Sequence, residues 1–200
     1  MMSLKLSVIY YSTYGSNVQL AKWAEAEALK LGAEVRVRQV QELAPQAVID
    51  GQAPWKANQE ATKDIPVASS DDLDWADAIL FSVPSRFGNV PSQFKQFLDI
   101  QGGLWATGKT VNKVVSAMSS AQNPHGGQEA TILSLYTSMY HWGALVVTPG
   151  YTDASVGLAG GNPYGTSVTI GQDGKMIEDV RPAVEHQVRR LLSVAEKIKA

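Results

Sequence analysis

Cysteine is absent from the 200-residue chain. That excludes a disulfide scaffold, thiol catalysis and any zinc or iron–sulfur centre held by thiolates. Histidine is nearly as scarce. His125, His141 and His186 are too few and too scattered for a histidine-rich metal site, so no metal is expected. No run of about 18 apolar residues occurs, so no transmembrane helix and no membrane insertion is expected. The N-terminal stretch MMSLKLSVIYYS is β-branched and aromatic, lacks a small-residue cleavage site and ends at a glycine turn. It reads as a first strand rather than a signal peptide, and a cytoplasmic protein is expected. Charge of one sign is missing too. Lys and Arg number 17 against 19 Asp and Glu, a net charge of −2. A nucleic-acid binder needs a basic surplus, so none is expected as a partner. A small electron carrier that docks on basic partners needs heavy acidity, which is also lacking.

What is present is ample apolar material, 44% of residues, enough for a sizeable core. The length suits one domain over 1–200 with room for insertions. Leu4–Tyr11 reads as a buried strand. Val18–Leu31 reads as a helix, with Val18, Ala21, Ala24, Ala28 and Leu31 on one face and Gly32 at its end. Val35, Val37 and Val40 mark a second strand, and strand–helix–strand at this spacing implies a parallel sheet. Residues 42–70, broken by Pro45, Gly51, Pro54 and Pro66, read as a surface excursion with one short helical turn. A short helix over 71–76 leads into a third strand over 77–83. A helix over 92–99, a fourth strand over 113–118, a helix over 128–141 and a fifth strand over 144–148 follow. Residues 151–180 are glycine-rich and aperiodic and read as a long loop or insertion. Pro182 opens a last helix with Val184, Val188, Leu191, Ala195 and Ile198 on one face. The alternation gives a doubly wound α/β fold on a five-stranded parallel sheet with helices on both faces. Such sheets bind ligands at the carboxyl ends of their strands.

One motif misleads. Residues 103–110, GLWATGKT, fit the phosphate-loop pattern G-x-x-x-x-G-K-[ST] completely. That pattern needs a strand before it and a helix after it, so that loop amides and a helix N-terminus face the phosphates. Here a helix precedes and a strand follows, so the match is set aside.

Three other loops leave strand ends on one edge of the sheet. Ser12, Thr13, Tyr14, Gly15, Ser16 and Asn17 follow the first strand and hold no cation. A phosphate there would be bound by hydroxyls, amides and the helix dipole. The alternative is an ordinary capped turn, because Ser and Asn are favoured N-cap residues. Pro84, Ser85, Arg86, Phe87, Gly88 and Asn89 follow the third strand and offer an aromatic face, a cation and a turn. Ser119 to Gly127, neutral and polar, follow the fourth. G-x-G-x-x-G is missing, against a dinucleotide-binding Rossmann site.

Together with Gly102, Gly103, Leu104, Trp105 and Ala106, Gly126-Gly127-Gln128-Glu129 and Gly161-Asn162-Pro163-Tyr164-Gly165, these loops resemble the WrbA family. Its members are flavodoxin-like NAD(P)H:quinone oxidoreductases, once called tryptophan-repressor-binding proteins. The resemblance covers nearly the whole chain. It implies a flavodoxin-like fold, FMN as cofactor, NADH or NADPH as electron donor, a quinone as substrate and a homotetramer. It assigns the FMN phosphate to Ser12–Asn17 and the flavin ring to Pro84, Ser85, Arg86, Phe87 and Gly88. The ring's other edge falls to Ser120, Ala121, Gln122, Asn123, Gly126 and Gly127. Tyr14 and Trp105 are implied in nicotinamide or quinone binding, and His141 in completing the flavin pocket from a neighbouring subunit. Arg86 is placed near the ring's pyrimidine edge, to stabilise negative charge on the reduced flavin. The chain departs from the family over 120–127, where members run Ser-Thr-Gly-Thr-Gly-Gly-Gly. This segment is one residue longer and poorer in glycine, so its contacts, and whether His125 is a donor or merely an exposed loop residue, stay open. On their own chemistry, Trp105 also fits a packing residue and His141 a helix-end partner of the dipole.

The implied reaction is two-electron, ping-pong transfer from NAD(P)H to quinone through one shared slot, with the chemistry borne by the flavin and no catalytic side chain. The alternatives are a flavodoxin-type electron carrier and a flavin-binding regulatory protein without turnover.

Overall fold

A computed structural model describes residues 3–199. The chain runs β1 (Lys5–Tyr10), α1 (Ser16–Lys30), β2 (Glu34–Gln39), α2 (Gln46–Asp50), α3 (Ala53–Thr62), α4 (Ser70–Trp75) and β3 (Ala78–Pro84). It continues α5 (Ser92–Asp99), α6 (Gly102–Ala106), β4 (Val114–Ala121), α7 (Gln128–His141), β5 (Leu145–Val146), α8 (Ala154–Leu158), β6 (Ser167–Thr169) and α9 (Arg181–Lys199). The sheet order is β2-β1-β3-β4-β5, with β6 also paired to β4, and every strand pair is parallel. The order reverses between β1 and β3, which makes their carboxyl ends the switch point of a flavodoxin-like sheet.

Strand alternation divides the core in two. Leu6, Val8, Leu80, Val114 and Met118 face α1 and α9. Ile9, Ile79, Phe81, Val83 and Val115 face α5 and α7. Ala21, Ala24 and Ala28 are fully buried, so α1 lies close against the sheet as its small residues predict.

The structure corrects several expectations. The 42–70 excursion carries two helices, α2 and α3, rather than one turn. Pro54 is not a breaker there: it occupies the first turn of α3, where its missing N–H costs nothing. The 151–180 stretch holds α8 and a sixth strand, β6. The fourth strand runs on to Ala121, because Ser119, Ser120 and Ala121 pair with Ser167, Val168 and Thr169. The fifth strand shrinks to two residues.

On the side away from β3, β4 has a gap between its two partners, β5 and β6. Val114 and Val115 pair with β5, and Ser119 to Ala121 with β6. Side chains fill it. The Tyr136 hydroxyl accepts from the Ala117 N–H at 3.1 Å and donates to the Tyr164 carbonyl at 2.7 Å. Gln187 Nε2 donates to the Ala117 carbonyl at 2.9 Å and to Ser116 Oγ at 2.7 Å, and its Oε1 accepts from the Thr166 N–H at 2.8 Å. Gly165 is obligatory, since a Cβ there would sit 2.0 Å from the Ala117 carbonyl oxygen.

The phosphate-loop look-alike is structural. Its first half lies in α6, Lys109 pairs with Asp74, and buried Thr110 donates to the Trp142 carbonyl at 2.8 Å. Among the described residues, no helix is long and apolar enough to cross a membrane.

Candidate functional site

The loop after β1 enters α1 through Gly15, whose φ of 100° a β-carbon would strain. No side chain caps α1. The capped-turn alternative is therefore not what forms. Ser12 Oγ instead accepts from the Gly15 N–H at 3.1 Å, and Asn17 turns inward. Asn17 Nδ2 donates to Ser120 Oγ at 2.8 Å, and Ser82 Oγ donates to Asn17 Oδ1 at 3.1 Å. One buried amide thus ties the first loop to β3 and β4. The start of α1, with the positive end of its dipole, faces the carboxyl edge.

The loop after β3 is a tight hairpin. The N–H groups of Arg86 and Asn89 donate to each other's carbonyls at 2.8 and 3.1 Å. Its central residues have φ of 55° at Phe87 and 79° at Gly88, the left-handed pair that two-residue hairpin turns favour. An aromatic residue held there is strained, and Phe87 is also wholly exposed. Ser85 locks the hairpin to the third loop. Its Oγ donates to the Gly126 carbonyl at 2.8 Å, accepts from the Gly88 N–H at 3.2 Å and meets Thr131 Oγ1 at 3.0 Å. Gly127, with φ 87°, lies so near that its Cβ would be 2.7 Å from Gly88 Cα. Gln122, Asn123 and His125 are exposed at the tip of this loop.

The cation missing from the first loop arrives from the second. Arg86 Nη2 donates to Thr13 Oγ1 at 2.7 Å, so the guanidinium lies on the first loop. Beside it, Tyr11 donates to Glu42 Oε2 at 2.9 Å, and Gln93 donates to Glu42 Oε1 at 2.8 Å. Burial pushes the Tyr11 phenol well above its ordinary range; the Thr13 contact offsets part of this and the Glu42 carboxylate adds to it. Tyr11 therefore stays protonated and remains the donor.

The structure brings together residues 12–17, 84–88 and 120–127. It does not bring Trp105 and His141 to them. Trp105 Nε1 donates to the His141 carbonyl at 3.1 Å, and both line a shallow cavity of about 240 Å³ with Leu98, Gln101 and Trp142. That cavity lies where β4 begins. The eight residues of β4 span about 25 Å at roughly 3.3 Å per residue, so it sits at the opposite edge of the sheet. Sequence reading also missed Gln52, Trp55 and Asn58, which reach the first loop from α3. Tyr14 donates to Gln52 Oε1 at 2.6 Å and meets the Trp55 ring edge-on, and Asn58 Nδ2 donates to the Ser12 carbonyl at 2.8 Å. No local signal marks them.

Three polar strand-end loops interlocked at the switch point of a 2-1-3-4-5 parallel sheet define a flavodoxin-like flavin protein. The sequence profile of the NADPH-dependent FMN reductase family matches residues 4–156. A Deinococcus radiodurans protein named NAD(P)H dehydrogenase (quinone) is 50% identical over 196 residues, covering 98% of this chain and 97% of its own. A Geotalea daltonii protein of the same name is 38% identical over 205 residues, covering 98% of both. The crystal structure of a flavodoxin, WrbA-like protein from Agrobacterium tumefaciens superposes with a TM-score of 0.66 at 22% identity, over 98% of this chain and 99% of that one. The chain belongs to the family of flavodoxin-like NAD(P)H dehydrogenases (quinone), of the WrbA type that its loop motifs resemble.

Proposed function

We propose that the chain is an FMN-dependent NAD(P)H:quinone oxidoreductase carrying out two-electron reduction of quinones. The observation that carries this reading is the convergence of an uncapped α1 with two interlocked strand-end loops at the switch point. The donor set fits FMN: hydroxyls, backbone amides and one guanidinium, with no carboxylate among residues 12–17 to repel a phosphate. When bound, FMN supplies the hydride-accepting ring and the two-electron delivery.

The protein binds, orients and excludes water. Ser12, Thr13, Ser16 and the first amides of α1 would hold the phosphate, and Arg86, resting on Thr13, would keep its charge between that loop and the pyrimidine edge of the ring. The hairpin at 84–88 and the 120–127 loop would bound the ring, and the bonds of Ser85 keep that wall rigid. Tyr14, half exposed at the mouth, would line the slot that nicotinamide and quinone share. Trp105 and His141 would serve a neighbouring copy, which favours a homotetramer, since their own pocket lies across the sheet. The cytoplasm, where NAD(P)H is regenerated, is the proposed location.

The test is to add FMN to the purified protein and follow NAD(P)H oxidation with benzoquinone as acceptor. A yellow complex with turnover is expected. Flavin binding without turnover would favour a carrier or a regulatory protein. Light scattering of the FMN-loaded sample checks the assembly, and a monomer would remove the role given to Trp105 and His141.

A further inference from the structure

We propose that α3 is a clamp on the cofactor's phosphate loop, with Asn58 its positioning residue. The proposal rests on the reading that residues 12–17 hold the FMN phosphate.

The amide of Asn58 faces that loop with both ends. Its Nδ2 donates to the Ser12 carbonyl at 2.8 Å, and its Oδ1 lies 3.4 Å from where a Cβ on Gly15 would be. The loop needs such a restraint. Its peptide units must present N–H groups inward, which leaves carbonyls such as that of Ser12 pointing away. A donor on that carbonyl fixes the orientation of the peptide plane and so of the amides beyond it. Gly15, in its left-handed conformation, is the residue with the most backbone freedom to lose on binding. Asn58 stands against it.

The helix can act as a clamp because its C-terminal end is anchored independently of that loop. At its C-terminal end, Gln39 Nε2, from β2, donates to the Thr62 and Ile65 carbonyls at 3.1 and 2.6 Å. Thr62 Oγ1 donates to the Asn58 carbonyl at 2.8 Å. At its N-terminal end, Gln52 accepts from the Tyr14 hydroxyl at 2.6 Å. The phosphate loop is thus held from α3 at Ser12 and at Tyr14, on either side of Thr13. Asn58 is neutral, which suits its place. A lysine there would compete for the Ser12 carbonyl with a mobile charge, and a carboxylate would repel both that carbonyl and a phosphate.

The test uses the full chain, stripped of flavin, and compares FMN with riboflavin, which lacks the phosphate. Flavin fluorescence quenching gives both dissociation constants. Asn58→Ala puts a strongly helix-forming residue at a half-buried position of α3, so the fold is kept. It is expected to weaken FMN about fivefold to tenfold, the effect of one hydrogen bond to a positioned group, and to leave riboflavin unchanged. Asn58→Asp is expected to lose roughly a further tenfold for FMN, partly recovered at high salt. The ³¹P resonance of bound FMN should shift in both variants. Lys56→Ala, on the exposed side of α3, should change neither constant. If the wild-type protein binds riboflavin as tightly as FMN, the phosphate-loop reading fails and the clamp with it. If the wild type prefers FMN and both Asn58 variants keep the same preference, the clamp alone is overturned.

Discussion

Replacing Gln187 with leucine should cost about 3 kcal/mol of stability. The side chain is 1% exposed and makes three hydrogen bonds, to Ser116 Oγ, to the Ala117 carbonyl and from the Thr166 N–H. Leucine is of similar size and makes none. The Ser116 hydroxyl can rotate to another acceptor, but the carbonyl of Ala117 and the amide of Thr166 are backbone groups and cannot. Each buried group left unpaired costs about 1–3 kcal/mol, and burying the leucine methyl groups returns roughly 1 kcal/mol. The remainder is about 3 kcal/mol, which in a chain of this size lowers Tm by about 6–12 °C. Urea unfolding at neutral pH, with the slope m checked against wild type, measures it. Tyr136→Phe strips the N–H of the same residue, Ala117, so the two changes should be non-additive in a double-mutant cycle. A Gln187→Leu loss below about 1 kcal/mol would refute the idea that side chains, rather than a strand, complete the β4 ladder.

Two more predictions follow from close contacts. Gly127→Ala places a methyl 2.7 Å from Gly88 Cα at a φ of 87°, prying the second and third loops apart. FMN affinity should fall more than about tenfold with the far-ultraviolet circular dichroism unchanged; unaltered affinity would show that the two loops need not touch. Asp72 concerns pH. Burial alone would raise its pKa, but the amide and hydroxyl of Ser69, then Arg38, outweigh burial and hold it below the ordinary carboxylate value. Its contribution is complete above about pH 4 and is lost as pH falls through the depressed folded value. Asp72→Asn should therefore be less stable at pH 7, with the gap closing toward pH 2 in acid-dependent thermal melts; a gap independent of pH would contradict this.

The sequence carried the elements whose pattern is local. Alternation in β1 and the alanine face of α1 announced the first βα unit, and the motifs at 84–89 and 126–127 announced two of the loops. What escaped depends on distant partners. Ser119, Ser120 and Ala121 look like loop residues until β6 pairs with them. β6 is three residues long and has no period to detect. α3, set in a proline-broken stretch, reads as irregular unless Pro54 is recognised at a helix start. Gly15 replaces the expected Ser or Asn cap because its conformation, not a side chain, shapes the entry to α1. Asn58 had no signal at all, since its role exists only once α3 lies over the phosphate loop. Trp105 and His141 were legible as motif residues, but their separation from the other loops follows only from the direction of α5 and α7.

The most direct test of the central claim is a steady-state rate study of the FMN-loaded protein, varying NAD(P)H and benzoquinone together. One shared slot beside the flavin predicts a family of parallel double-reciprocal lines. Intersecting lines, or no turnover with FMN bound, would contradict it.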